Sequence, residues 1–122
     1  MEVILDTNFI ISCVKRKIDF IGRLREEGFK VLIPKEVIDE LKDLRFNVRR
    51  EEKTAIELAL QILDSNEEIR KMKLGNKKVD ESLIEMGKKG AYIATLDRTI
   101  KRSIPNRVII SDAKNDILVE RD

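Results

Sequence analysis

Short apolar runs alternate along this chain with segments whose hydrophobic residues recur every three or four positions. Strands are predicted at residues 2–6, 29–34, 67–74, 91–95 and 107–111. Helices are predicted at residues 8–16, 19–27, 35–45, 51–64, 80–89 and 97–103. Parallel strands need a crossover between them, usually a helix, so this alternation with short connections predicts an α/β fold with a mostly parallel sheet.

Length and composition predict one soluble domain that spans residues 1–122. The chain has 122 residues, with no internal repeat and no low-complexity linker, and this is the size of a single domain with a substantial core. Aromatic residues make up 4% of the chain and Trp is absent, so the core must consist of Ile, Leu and Val. The single Cys13 cannot form an internal disulfide, and neither a signal peptide nor an apolar run of roughly 18 residues is present. We therefore expect a cytoplasmic protein without a membrane segment.

The chain contains no histidine, and this excludes several catalytic chemistries at once. Nucleophile systems of the Ser-His-Asp or Cys-His type are impossible, and so is a histidine general base. A metal site would have to be built from carboxylates. Oxygen ligands favour Mg²⁺ or Mn²⁺ over zinc.

Two acids follow strand-like runs and precede predicted helices. Asp6 lies in "VILDTN" and Asp97 lies in "YIATLD". The carboxyl ends of strands form the edge where open parallel sheets bind ligands, so the two carboxylates together are candidate metal ligands. The alternative for each residue alone is an N-cap, which accepts the free amide hydrogens of the next helix.

Glu40 lies at the margin of an apolar helix face. At about 100° per residue, the predicted helix 35–45 places its acids Asp39 and Asp43 further toward solvent than Glu40. The alternative role for Glu40 is a boundary salt bridge with Lys35 or Arg45. Glu36 precedes Glu40 by one turn and is expected to support it from the same side.

Asp80 opens the predicted helix 80–89. If the helix is regular from Val79, Asp80 falls within the apolar arc of Leu83, Ile84 and Gly87. A carboxylate inside an apolar arc must be protonated, paired or bound to metal. The alternative is again an N-cap.

These four acids occur in segments that resemble the PIN-domain family of metal-dependent ribonucleases. The matching stretches are "LDTNFII", "IPKEVIDELKDL", "VDESLIEMGKKG" and "AYIATLDRTIKRSI". The resemblance implies a three-layer sandwich whose central, mostly parallel sheet of about four to five strands is flanked by helices. It is strongest to the archaeal and eukaryotic rRNA-processing branch. Leu96 departs from the pattern, because the family often has Asn before the last Asp.

The resemblance implies an endoribonuclease that hydrolyses RNA phosphodiester bonds, here in rRNA processing. Catalytic and metal-binding roles fall to Asp6, Glu40, Asp80 and Asp97, with Mg²⁺ or Mn²⁺ as cofactor. The toxin-type PIN ribonucleases of toxin–antitoxin pairs share the four acids and are the alternative, in which case an antitoxin is a partner. A homodimer is compatible with either branch.

Further residues are expected to support the acids and to bind RNA. Asn8 and Thr95 are candidates for hydrogen bonds that orient Asp6 and Asp97; their alternative is local turn or cap bonding. An acidic pocket repels phosphate, so cations must surround it. The candidate cations are Arg49, Arg50, Lys77, Lys78, Arg98, Lys101 and Arg102. Only Phe46 or Tyr92 is expected to stack on bases, so recognition of the RNA backbone or shape should dominate.

Two hypotheses of other classes compete with the nuclease. The first is a non-cleaving RNA-binding or assembly protein that keeps a PIN fold. The second is a receiver-like signalling domain with Asp6 as phosphoacceptor, although the first loop lacks the paired acid expected there.

Overall fold

The computed structural model describes all 122 residues. Six strands form one sheet, and six helices pack against it. The strands are β1 (Glu2–Leu5), β2 (Lys30–Pro34), β3 (Arg70–Met72), β4 (Tyr92–Ala94), β5 (Arg107–Ser111) and β6 (Asp116–Glu120). The helices are α1 (Thr7–Lys15), α2 (Phe20–Glu26), α3 (Lys35–Leu44), α4 (Arg50–Ser65), α5 (Val79–Lys88) and α6 (Arg98–Ser103). The predicted α/β fold class is confirmed.

The sheet is parallel except at one edge. Its order is β3-β2-β1-β4-β5-β6, and only β6 runs antiparallel to its neighbour, β5. Strand β6 was not predicted, because its apolar residues form a short run between charges at the far side of a tight turn. The predicted edge strand 67–74 shortens to the three residues of β3.

The chain changes direction across the sheet between β1 and β4. From β1 it runs outward to β2 and β3, and it then returns to the other side of β1 to form β4 and β5. Such a reversal leaves a crevice at the carboxyl ends of the two central strands. The register pairs Leu5 with Ala94, so the next residue of each strand, Asp6 and Thr95, meets its counterpart at this crevice.

Side chains alternate between the two faces of the sheet, as the strand period requires. On β1, Val3 and Leu5 belong to the larger apolar cluster, whose helical members come from α1, α2, α3 and α4. Ile4 faces the opposite side, where it joins the smaller cluster under α5 and α6. Helices therefore cover both faces. None of the helices combines the length and the hydrophobicity that a membrane crossing would need.

Gly87 lets α5 pack closely against the chain that follows α6. A Cβ atom at this position would clash with Cγ2 of Ile104 and would lie 3.3 Å from Cγ1 of Ile93. Both neighbours are buried, so they have little room to move. The helix that carries Asp80 is therefore held to the sheet by a contact that only glycine permits.

We expect Gly87→Ala to destabilise the fold by about 1–3 kcal/mol because it overpacks this contact. This loss should exceed the gain of about 1 kcal/mol in helix propensity. Urea denaturation measures the difference, and Lys88→Ala, at the adjacent exposed position of α5, is the control. A Gly87→Ala protein as stable as the control would contradict the close packing.

Candidate active site

Asp6 lies at the crevice between β1 and β4 and is held by hydrogen bonds through both carboxylate oxygens. Its Oδ1 accepts the backbone N–H of Thr7 at 2.8 Å, and it caps the start of α1. Its Oδ2 accepts the hydroxyl hydrogen of Thr95 at 2.9 Å. The predicted cap therefore uses one oxygen only, and the other is fixed by a side chain from the neighbouring strand.

Thr95 connects Asp6 to Asp97. The residue is fully buried, and while its hydroxyl donates to Asp6, its Oγ1 accepts the backbone N–H of Asp97 at 3.1 Å. The carboxylate of Asp97 caps α6 by accepting the N–H of Ile100 at 3.0 Å. Thr95 thus orients Asp6 directly and fixes the backbone from which Asp97 projects.

The pKa of Asp6 is raised above its ordinary value. Burial of the carboxylate is the main cause, and the hydrogen bonds from Thr95 and Thr7 oppose it. The negative charges of Asp97 and Asp80 raise the pKa further. Two of the other predicted acids, Asp97 and Asp80, therefore act electrostatically on Asp6 at this edge of the sheet.

Glu40 joins the site through a residue that the sequence analysis missed. Its Oε2 accepts the hydroxyl hydrogen of Thr7 at 2.9 Å, and Thr7 is 2% exposed. Glu40 makes no ion pair with Lys35 or Arg45, so the salt-bridge alternative is wrong. Thr7 thus contacts two predicted ligands, Asp6 through its N–H and Glu40 through its hydroxyl. The one sequence signal was its place between Asp6 and Asn8.

Asp80 is exposed and does not lie within the apolar face of α5. Helix α5 begins at Val79, and its buried face runs through Ser82, Leu83 and Gly87. The centre of this buried face lies further from Asp80 than predicted. Asp80 therefore lies at the margin of the face, and its carboxylate projects to solvent. The N-cap alternative is also wrong, because Lys78 holds the cap position and Asp80 accepts the N–H of Glu81 at 2.9 Å.

Glu36 does not support Glu40, contrary to the prediction. Its carboxylate accepts the backbone N–H groups of Leu74, at 3.0 Å, and of Gly75, at 3.3 Å. Desolvation alone would raise the pKa of Glu36, but hydrogen bonds from backbone N–H groups outweigh it and the pKa is lowered. Glu36 therefore ties α3 to the loop that leads to Asp80.

Asn8 does not hold Asp6. Its side chain is exposed and makes no hydrogen bond, because Thr7 and Thr95 already satisfy the carboxylate. Asn8 instead lines a groove of about 450 Å³ that reaches Leu96 and Asp97 and is walled by α1 and α4. A larger groove, of about 540 Å³, lies between α3, α4 and β3 and contains none of the four acids.

The predicted RNA-binding cations differ in how they are engaged. Lys77 forms an ion pair with Glu85, which also contacts Lys89. The other six make no ion pair. They are Arg49, Arg50, Lys78, Arg98, Lys101 and Arg102. Arg49 and Arg50 lie at the start of α4, Lys78 lies at the start of α5, and the other three lie on α6.

The donor set suits a hard divalent cation. Asp6, Glu40, Asp80 and Asp97 offer oxygen atoms only, and no group of three acidic side chains is drawn together into a tight cage. Mg²⁺ keeps several waters and is usually held by one or two carboxylates together with substrate phosphates. A raised Asp6 pKa beside two further carboxylates is also the condition that a cation relieves. The residues therefore fit a Mg²⁺-type site better than a closed structural one.

Sequence comparisons with known proteins identify a family and a relative. A family model described as "PIN like domain" matches residues 3–111. The chain is 36% identical over 108 residues to Ribonuclease VapC9 of Archaeoglobus fulgidus, covering 87% of this chain and 77% of the relative.

Solved structures with similar folds include the PIN domain endonuclease Utp24. The two are 26% identical with a TM-score of 0.74, over 99% of this chain and 92% of the other. VapBC2 from Rickettsia felis, solved bound to a DNA fragment from its promoter, gives a TM-score of 0.54 at 14% identity, covering 85% of this chain and 96% of that chain. The latter likeness concerns the fold alone.

We expect Asp6→Asn to make the metal-free protein more stable at neutral pH. The folded-state pKa of Asp6 is raised, so the folded protein binds this proton more tightly than the unfolded chain does. Stability is therefore lost as the pH rises through the folded pKa. The neutral amide removes this loss while it keeps an oxygen for the Thr7 N–H.

Thermal melting in chelator across acid and neutral pH measures the effect. The melting temperatures should differ at pH 7 and converge below the ordinary carboxyl pKa of 3.8. Asp39→Asn is the control, since Asp39 is exposed on α3. A lower melting temperature for Asp6→Asn at pH 7 would show that the carboxylate stabilises the fold.

Proposed function

Because the chain belongs to the PIN-like domain family, we propose that it is a metal-dependent endoribonuclease that hydrolyses RNA phosphodiester bonds. The observation that carries the proposal is the placement of Asp6. It lies at the crevice between the central strands and is oriented by Thr7 and Thr95. The negative charges of Asp97 and Asp80 raise its pKa. A relative named as a ribonuclease and a similar structure named as an endonuclease support this reaction class.

Asp6, Glu40, Asp80 and Asp97 would hold Mg²⁺ or Mn²⁺. When bound, such a cation acidifies water and neutralises the charge that develops on the phosphoryl group, which removes the need for a histidine base. The protein contributes orientation: Thr95 and Thr7 fix Asp6, and Thr7 holds Glu40. Hydrogen bonds of this kind to ligating carboxylates typically change metal affinity by about 10–100-fold.

The unpaired cations would attract the RNA backbone toward an otherwise acidic edge. Arg98 and Arg102 lie on α6, directly after Asp97, and Lys78 precedes Asp80. Phosphate contacts of this kind supply affinity without reading sequence. These cations would reduce the repulsion between the RNA backbone and the carboxylates. A bound divalent cation would neutralise the remaining negative charge.

For the cellular role we propose rRNA processing, with precursor rRNA as substrate in the cytoplasm. Similarity to Utp24 over nearly the whole chain supports this branch. The identity to Ribonuclease VapC9 favours a second candidate, a toxin-type PIN ribonuclease with an antitoxin partner. A small antitoxin-like gene immediately upstream would favour the second candidate, and a homodimer is compatible with both.

We expect the purified protein to cleave structured RNA with Mg²⁺ or Mn²⁺ and to lose this activity in chelator. Asp6→Asn should reduce cleavage by at least about 100-fold, since it removes a charged metal ligand. Gel analysis of cleavage products over time measures the rate. Full activity in Asp6→Asn would refute the site assignment.

Two controls separate chemistry from folding and from mere binding. Asp39→Asn removes a carboxylate elsewhere on α3 and should cleave normally. Calorimetric titration with Mn²⁺ should give heat with the unmodified protein and much less with Asp6→Asn. An RNA-binding protein that neither cleaves nor binds Mn²⁺ would favour the non-cleaving assembly role.

We expect the double substitution Arg98→Gln with Arg102→Gln to weaken RNA binding and its salt dependence. The slope of log affinity against log salt is negative, and losing two phosphate contacts should reduce its magnitude by about 1.4 for a single strand. Lys77→Gln should change the slope less, because Lys77 is engaged with Glu85. Fluorescence anisotropy at several salt concentrations measures the slopes, and equal changes in both proteins would contradict this ranking.

A further inference from the structure

Phe46 is the one aromatic side chain that the fold leaves in solvent. It is 72% exposed, whereas Phe9, Phe20, Phe29 and Tyr92 are all buried. Tyr92, the other candidate for base stacking, packs edge-on against Phe29 with ring centroids 4.9 Å apart. Of the two aromatic residues that the sequence offered for base stacking, the buried Tyr92 is therefore excluded.

The loop that carries Phe46, residues 45–49 between α3 and α4, is held in place by backbone hydrogen bonds. The N–H of Phe46 donates to the carbonyl of Asp43 at 3.3 Å, and that of Asn47 donates to Leu44 at 2.9 Å. The Asn47 side chain donates to Asp43 as well, at 3.4 Å. The exposed ring therefore projects from an ordered turn.

One face of the Phe46 ring is already covered by a cation. The guanidinium carbon of Arg45 lies 4.8 Å from the ring centroid, and Nε of Arg45 is buried without a hydrogen-bond partner. The ring keeps most of its surface in solvent, so its other face is open. An Arg on one face and open space on the other is an arrangement that a flat π-system can complete.

Phe46 lies beside the groove that leads to Asp97. Leu44 and Val48, two residues to either side of it, line this groove together with Asn8 and Asp97, whereas Arg45, which covers one face of the ring, lines the larger groove between α3, α4 and β3. A strand whose phosphate reaches the carboxylates would therefore place a neighbouring nucleotide near the loop.

The surroundings of Phe46 favour a polyanion. Segment 42–53 carries five cations and three acids, and none of the cations forms an ion pair, whereas Glu52 is paired with Lys15. The cations are Lys42, Arg45, Arg49, Arg50 and Lys53. Arg49 and Arg50 begin α4 without a side-chain cap.

A protein partner would need a broader apolar surface than Phe46 offers. The other exposed large apolar residues lie outside this loop, Met1 before β1, Leu58 on α4 and Leu118 on β6. A single exposed ring among cations is instead the composition of surfaces that stack unpaired bases.

We propose that Phe46 stacks on an unpaired nucleobase of the RNA strand that occupies the Asp97 groove. Arg49 and Arg50 contact the adjoining phosphates, so the site selects single-stranded over fully paired RNA next to the cleaved bond. This inference rests on the proposed function, because it assumes that RNA is the substrate.

The absence of Trp allows a direct test. Phe46→Trp introduces the only tryptophan, and an Asp6→Asn background strongly slows cleavage in Mg²⁺. A single-stranded 12-nucleotide RNA of mixed sequence should quench this fluorescence saturably, and the same sequence in a duplex should not. The matched control is Leu58→Trp, at an exposed position of α4, whose fluorescence should stay unchanged.

Affinity gives a second readout. Phe46→Ala in the same background should weaken binding of the single strand roughly tenfold, and Phe46→Tyr should restore it, because stacking needs only an aromatic face. Unquenched Phe46→Trp together with unchanged affinity in Phe46→Ala would overturn the stacking site and leave the loop to a protein partner. Equal quenching in the Leu58→Trp control would also overturn it. If no form of the protein binds or cleaves RNA, the proposed function itself fails.

Discussion

The hydrogen bond from Thr95 to Asp6 joins the two central strands at a point where burial disfavours an ionised carboxylate. The register that pairs Leu5 with Ala94 brings the next two residues face to face. Asp6 then satisfies one oxygen with the start of α1 and the other with the end of β4. A slip of the register by one residue would reverse every side chain on the strand, so the site depends on the pairing of β1 with β4.

Burial and repulsion make this edge of the sheet unfavourable for charge in isolation. The pKa of Asp6 is raised mainly by desolvation and also by Asp97 and Asp80. Groups with perturbed pKa values are common at functional sites, where a bound ligand can offset the unfavourable charge. The start of α4, the start of α5 and helix α6 carry cations that are largely unpaired. The proposed metal and RNA binding would use both groups, the acids for the divalent cation and the unpaired cations for the phosphates.

The sequence predicted the helices and all but one strand, because local periodicity reports which face of an element is apolar. It missed β6, which is stabilised by antiparallel pairing with β5 and carries little pattern of its own. Asp80 shows the limit of the helical wheel. Placing it inside or outside the apolar face required knowing which part of α5 meets the sheet. The predictions for Glu36 and Asn8 were wrong for a related reason, because each was assigned a partner close to it in the sequence. These partners were Glu40 for Glu36 and Asp6 for Asn8.

By itself the sequence determined the chemistry that is available. Without histidine, only carboxylates can hold a metal, and the alternation of strands and helices places Asp6 and Asp97 at strand ends. Only the tertiary structure decided how these groups are connected. Thr95 lies 89 positions from Asp6, and Glu40 lies 33 positions from Thr7. Hydrogen bonds between such distant residues exist because the sheet order and register bring them together, and local sequence preference carries no information about either.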